Sequence, residues 1–111
     1  MIASFPDRRF QLWEYQVSHG SLLVRSPRGP TVARNIDLVF TGVEYLQAPR
    51  HLVGVVLEHG SVEDRAATRT ATGGAEAGRV YVLVSEGRRH LVAAADCTID
   101  ENDRDIFDSP F

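Results

Sequence analysis

Apolar residues recur at every second position where this chain is most regular: Trp13, Tyr15 and Val17 alternate with Glu14, Gln16 and Ser18. A period of two puts alternate side chains on opposite faces of an extended strand, one face for a core and one for water. Aromatic and β-branched residues suit such a pleated, half-buried surface. His19-Gly20 follows, and apolar content resumes at Leu22-Leu23-Val24. Glycine readily supplies the positive φ of a tight turn, so residues 10–17 and 21–26 are predicted to form a hairpin.

The same reading continues along the chain. Ser26-Pro27-Arg28-Gly29-Pro30 is punctuated as a loop. Ile36, Leu38 and Phe40 mark a third strand; at Thr41-Gly42 the apolar phase slips to Val43 and Tyr45, which predicts a bulge or a turn. Pro49 ends that segment, and Val53, Val55 and Leu57 mark another strand. Residues 60–78 hold small and polar residues with Val62 as the one large apolar side chain, and are expected to be a mobile loop. Residues 80–84, a Glu86-Gly87 turn and the segment from Leu91 predict a second hairpin. The expected fold is one mostly β domain over residues 1–111. Six to seven antiparallel strands form a sandwich, a small barrel or a bent sheet, with at most one helical turn near residues 103–107.

Composition removes several chemistries. All 12 cationic side chains are arginine, so no lysine serves a phosphate loop or a Schiff base. The single cysteine, Cys97, excludes an internal disulfide and a multi-cysteine zinc site. No apolar run approaches the roughly 20 residues of a membrane helix, and Asp7-Arg8-Arg9 follows the apolar start where a leader needs the reverse order, so a cytoplasmic setting is expected. A pI near 5.7 speaks against nucleic acid as a partner. Charge is uneven, however. Residues 96–111 carry six acids and one arginine, against nine acids and 11 arginines in the first 95 residues. Residues 100–111 read as an acidic tail on a mildly basic body, a layout that can pair with itself.

No local motif assembles a catalytic centre. His19, His51, His59 and His90 lack metal-ligand spacing. Ser18 and His19 are strand neighbours on opposite faces, and no Gly-x-Ser-x-Gly elbow occurs. The tail run from Asp100 lacks the glycine and the terminal glutamate of a calcium loop. Cys97 among apolar neighbours reads as a small buried hydrophobe, with Asp96 opposing thiolate formation. No cofactor, metal site or catalytic residue is therefore expected. The candidate contacts are Arg25, Arg28 and Arg34 near the first loop and Arg88 and Arg89 at the second hairpin, which would make an anion- or partner-binding rim if the loops share one end. As solvated hairpin residues they would do nothing. Ile106, Phe107 and Phe111 are candidates for docking the tail, since they are costly to leave in water.

The stretch Trp13-Glu14-Tyr15-Gln16-Val17-Ser18-His19-Gly20-Ser21-Leu22-Leu23-Val24-Arg25-Ser26 resembles the opening of small bacterial proteins of uncharacterised function. That resemblance implies no activity, cofactor or site residue. Three functions fit the residues. The first is a non-catalytic protein-binding or assembly module, with a protein or a second copy of the chain, as a homodimer, for partner. The second is a small-ligand site or small enzyme built from distant residues around Trp13, Tyr15, Tyr45 and Tyr81. The third is an immunity-type protein that meets a basic partner with its acidic tail.

Overall fold

A computed structural model of the chain describes residues 1–74 and 78–111. Its strands are β1 (Ala3–Gln16), β2 (Ser21–Ser26), β3 (Asn35–Thr41), β4 (Tyr45–Gln47), β5 (His51–His59), β6 (Arg79–Ser85), β7 (Arg88–Ala94) and β8 (Asp96–Asn102), with one helix, α1 (Val62–Ala71), between β5 and β6. They form one antiparallel eight-stranded sheet in the order β4-β7-β6-β5-β1-β2-β3-β8. The mostly β, antiparallel expectation holds, with eight strands in place of six or seven.

The sheet curls because four of its strands form two bent ribbons. β3 runs into β4 past Gly42, and β7 runs into β8 past Ala95. The two ribbons pair along their length, from Asn35 opposite Asn102 to Gln47 opposite Leu91. At the corner Ala95 N donates to Thr41 O at 2.9 Å and Glu44 N to Ala93 O at 2.8 Å. Gly42 lets the corner close: its φ is +64°, and a Cβ there would lie 2.9 Å from Ala95 Cβ. This is the phase slip expected at Thr41-Gly42. The second hairpin turns on Glu86 and Gly87, both at positive φ as a two-residue hairpin turn requires.

The curled sheet encloses one core. Phe10 of β1, Leu22 and Val24 of β2, Ile36, Leu38 and Phe40 of β3, Leu52, Val55 and Leu57 of β5, Tyr81 and Leu83 of β6, and Val92 and Ala94 of β7 pack together. Trp13 is turned off that face, towards Arg25 of β2. Trp13 is the extra residue of a bulge in which Leu12 pairs with Val24 and Glu14 with Leu23, and a bulge re-aims the side chains around it. Tyr15 sits opposite core Leu22 but is partly exposed, and Val17 is exposed in the turn after β1. β1 also begins earlier than the apolar pattern indicates. Pro6 lies within it, between Phe5 and Arg9, where the pairing with β5 shifts register, and a bulge is where a strand tolerates proline.

Residues 62–71 are a helix where a mobile loop was expected; residues 75–77 of that expected loop lie outside the described residues. Ser61 caps α1 in a reciprocal box: Asp64 N donates to Ser61 Oγ at 3.1 Å, and Ser61 N donates to Asp64 Oδ2 at 2.8 Å. Glu63 and Asp64 in the first turn and Arg69 in the last complement the helix dipole. The helix contacts β6 and β7. Val80, Val82 and Ala93 are buried outside the core cluster, on the opposite face of those strands, under α1. At the C-terminus the expected helical turn is a plain turn at Ile106-Phe107, and residues 100–102 of the expected tail belong to β8.

Replacing Gly42 with alanine is expected to cost about 1–3 kcal/mol, from the strained φ together with the contact on Ala95. Urea denaturation of the G42A variant against the parent chain measures it.

Candidate functional site

Arg25 lies in β2 with its side chain fully buried. An unpaired guanidinium inside a protein is strongly destabilising. The adjacent strand supplies the counter-ion, because Asp37 of β3 is the residue directly opposite Arg25. Arg25 Nε donates to Asp37 Oδ1 at 2.7 Å and Nη2 to Oδ2 at 3.0 Å, a two-pronged, charge-assisted geometry. The bulge at Trp13 brings its ring to 5.3 Å from the guanidinium carbon, so the cation also rests on an aromatic face.

Asparagines extend this pair across the sheet. Asn102 of β8 donates through Nδ2 to Asp37 Oδ2 at 2.9 Å and to Asp100 Oδ2 at 3.1 Å. Asn35, its neighbour across the ladder, donates to Asn102 Oδ1 and to the Arg104 carbonyl, both at 2.9 Å. Asn35 Oδ1 accepts from the Arg28 backbone N–H at 2.7 Å, which ties the β2–β3 loop to the same group. Arg104 Nη1 donates to Asp100 at 2.8 Å and reaches Asp37 at 3.4 Å. Among the described residues no buried side-chain nitrogen or oxygen lacks a partner. Burial opposes ionisation of Asp37, but the bonds from Arg25 and Asn102 and the charges of Arg25 and Arg104 prevail and hold its carboxyl below the usual range.

The C-terminal segment crosses this surface. Arg25 Nη1 donates to the main-chain carbonyl of Asp108 at 3.0 Å, and Trp13 Nε1 donates to that of Ile106 at 3.3 Å. The hydrogen bonds of this contact go to tail carbonyls. Phe107 is 90% exposed, Ile106 46% and Phe111 39%.

The five arginines predicted as a rim have separate settings. Arg25 is interior. Arg34 donates to the Glu101 carbonyl at 3.0 Å, and Arg28 is exposed. Arg89 forks the carboxylate of Asp64 on α1, with both bonds at 2.8 Å, and this bond, set against a smaller cost of burial, keeps Asp64 well below the usual carboxylate range. Arg88 lines an open groove of about 370 Å³ with Pro49, His51, Leu52, Ser85, Glu86 and His90, a lining that includes none of Arg25, Arg28 or Arg34.

The aromatic residues are likewise dispersed. Tyr81 is in the core, 5.7 Å from both Phe40 and His59. Trp13 is under Arg25, Tyr15 is exposed and Tyr45 is in β4. Burial, reinforced by Asp96, pushes the Cys97 thiol up to about 12, so it is protonated at neutral pH and a poor nucleophile. Among the described residues, no three His, Cys, Asp or Glu side chains converge as metal ligands, and no helix is long and apolar enough to cross a membrane.

Replacing Arg25 with methionine is expected to cost about 3–5 kcal/mol, since it strands the buried Asp37 charge. Adding Asp37→Leu should recover most of that loss, as read by urea denaturation of both variants. The depressed carboxyls of Asp37 and Asp64 make stability pH-dependent with a definite sign. Their folded pKa values lie below the unfolded ones, so their contribution is complete above about pH 5. It declines as the pH falls below the unfolded value and through the folded ones. Denaturation midpoints should drop on the acid side, less steeply in the Asp64→Asn variant.

No protein-family model matches the chain, and no curated protein or solved structure matches it either.

Proposed function

We propose that this chain is a non-catalytic protein-binding and assembly module that joins a second copy of itself through the face where its C-terminal segment crosses β1. The observation that carries this reading is the exposure of large apolar side chains at that crossing. Ile106 and Phe107, 46% and 90% exposed, belong to the segment bonded to Trp13. Grouped apolar side chains of this kind mark association surfaces. Fully burying each contributes about 1.5–3 kcal/mol.

Charge supports a second copy as the partner. The segment brings Asp105 and Asp108, while the first 95 residues carry more arginines than acids. Filling of the interior supports a binding surface over an internal ligand site: Leu22, Leu38, Phe40, Leu57 and Leu83 are fully buried, and the grooves beside Arg88, Arg65 and Arg8 are open at the surface. The reading places the module in the cytoplasm, in keeping with a chain that uses one free cysteine and no disulfide framework.

Sedimentation velocity tests it. The parent chain should form dimers as its concentration rises from micromolar towards millimolar. The Phe107→Asp variant should remain monomeric at the same concentrations with an unchanged melting temperature. A parent chain that stays monomeric throughout overturns the reading.

A further inference from the structure

We infer that the outer face of β1 and β2 is a peptide-binding groove, floored by Trp13 and Arg25, that exchanges its own C-terminal segment for the same segment of a second copy. This rests on the assembly reading above and specifies how the copies are joined.

Both floor donors address main chain. Arg25 Nη1 reaches the Asp108 carbonyl and Trp13 Nε1 the Ile106 carbonyl, so the groove recognises a backbone shape. The segment makes that shape by itself. Asp108 N donates to Asp105 O at 2.9 Å, and Phe107 N donates to Asp105 Oδ1 at 3.2 Å. A turn held from within by Asp105 is the same turn whichever copy presents it, and a pre-formed ligand binds at lower entropic cost.

The segment can also leave without stranding a charge. Arg25 keeps Asp37 through Nε and Nη2, so departure returns one guanidinium N–H to water. The chain before the segment is fixed. Arg104 N donates to Asn102 Oδ1 at 3.1 Å, its carbonyl accepts from Asn35, and its side chain holds Asp100. The chain therefore pivots after residue 104, and residues 105–111 are the part that swings. Exchange of an identical element between copies is a low-cost route to a dimer. Phe107, 90% exposed, lies on the same segment, so a second copy that covers it meets that segment beside the groove.

Mixed full-length copies provide the test. One copy is isotopically labelled and untagged; the other is unlabelled and carries a paramagnetic tag fused at its C-terminus. Trp13 is the sole tryptophan, so the labelled copy gives one indole N–H signal. That signal should lose most of its intensity in proportion to the dimer fraction, and excess unlabelled, untagged chain should restore it. An undiminished signal in a sample that sedimentation shows to contain dimers overturns the exchange and leaves assembly standing. A sample without dimers overturns the assembly reading, and the exchange with it.

Discussion

The buried pairing of Arg25 with Asp37 is the interaction on which the arrangement of this domain's outer surface depends. It joins β2 to β3 by side chains where the ladder already joins them by backbone. Around it, Asn35, Asn102, Asp100 and Arg104 each answer a polar group left by another. Such a network contributes little net stability over an apolar replacement, because desolvating two charges offsets their attraction. It contributes position instead. Asn102 meets Asn35 and Asp37 only if β8 pairs with β3 in the observed register, since a one-residue slip would turn its side chain to the opposite face.

A second ion pair performs the same service at the other side of the sheet. Arg89 of β7 forks Asp64, and Asp64 also closes the capping box of α1. One carboxylate thus both starts the helix and ties it to the strand that it covers. This explains how a ten-residue helix rich in alanine and threonine stays docked. Its own apolar area is small, and Val62 is mostly exposed.

Much of the fold was legible because period-two alternation and glycine turns are local signals. Both hairpins, the β3 register of Ile36, Leu38 and Phe40, and the kink at Gly42 follow from them. α1 escaped because its face is built of small residues, which leave no apolar period. Ser61-x-x-Asp64 before it and Gly73-Gly74 after it were the available marks. Alternation puts Trp13 and Tyr15 on one face and cannot show the bulge, which turns Trp13 towards Arg25 while Tyr15 stays opposite Leu22. The site was least legible. Arg25 follows three apolar residues in a strand, and Asp37 interrupts an apolar run, so each resembled an ordinary surface residue. Only the register that sets them opposite each other reveals them as partners.

The bent ribbons also constrain the order in which the chain can fold. The ladder that closes the curled sheet pairs Asn35 with Asn102, two positions far apart in sequence. Until residue 102 is available, β3 presents a bare edge carrying Ile36, Leu38 and Phe40, with nothing beside it to receive their strand. Long-range pairings of this kind form slowly and leave such edges open to wrong partners meanwhile. The finished molecule exposes a different edge, β8, whose Asp96, Asp100 and Glu101 make it a poor template for another strand. By covering β3, the acidic β8 converts an adhesive edge into one that resists strand addition.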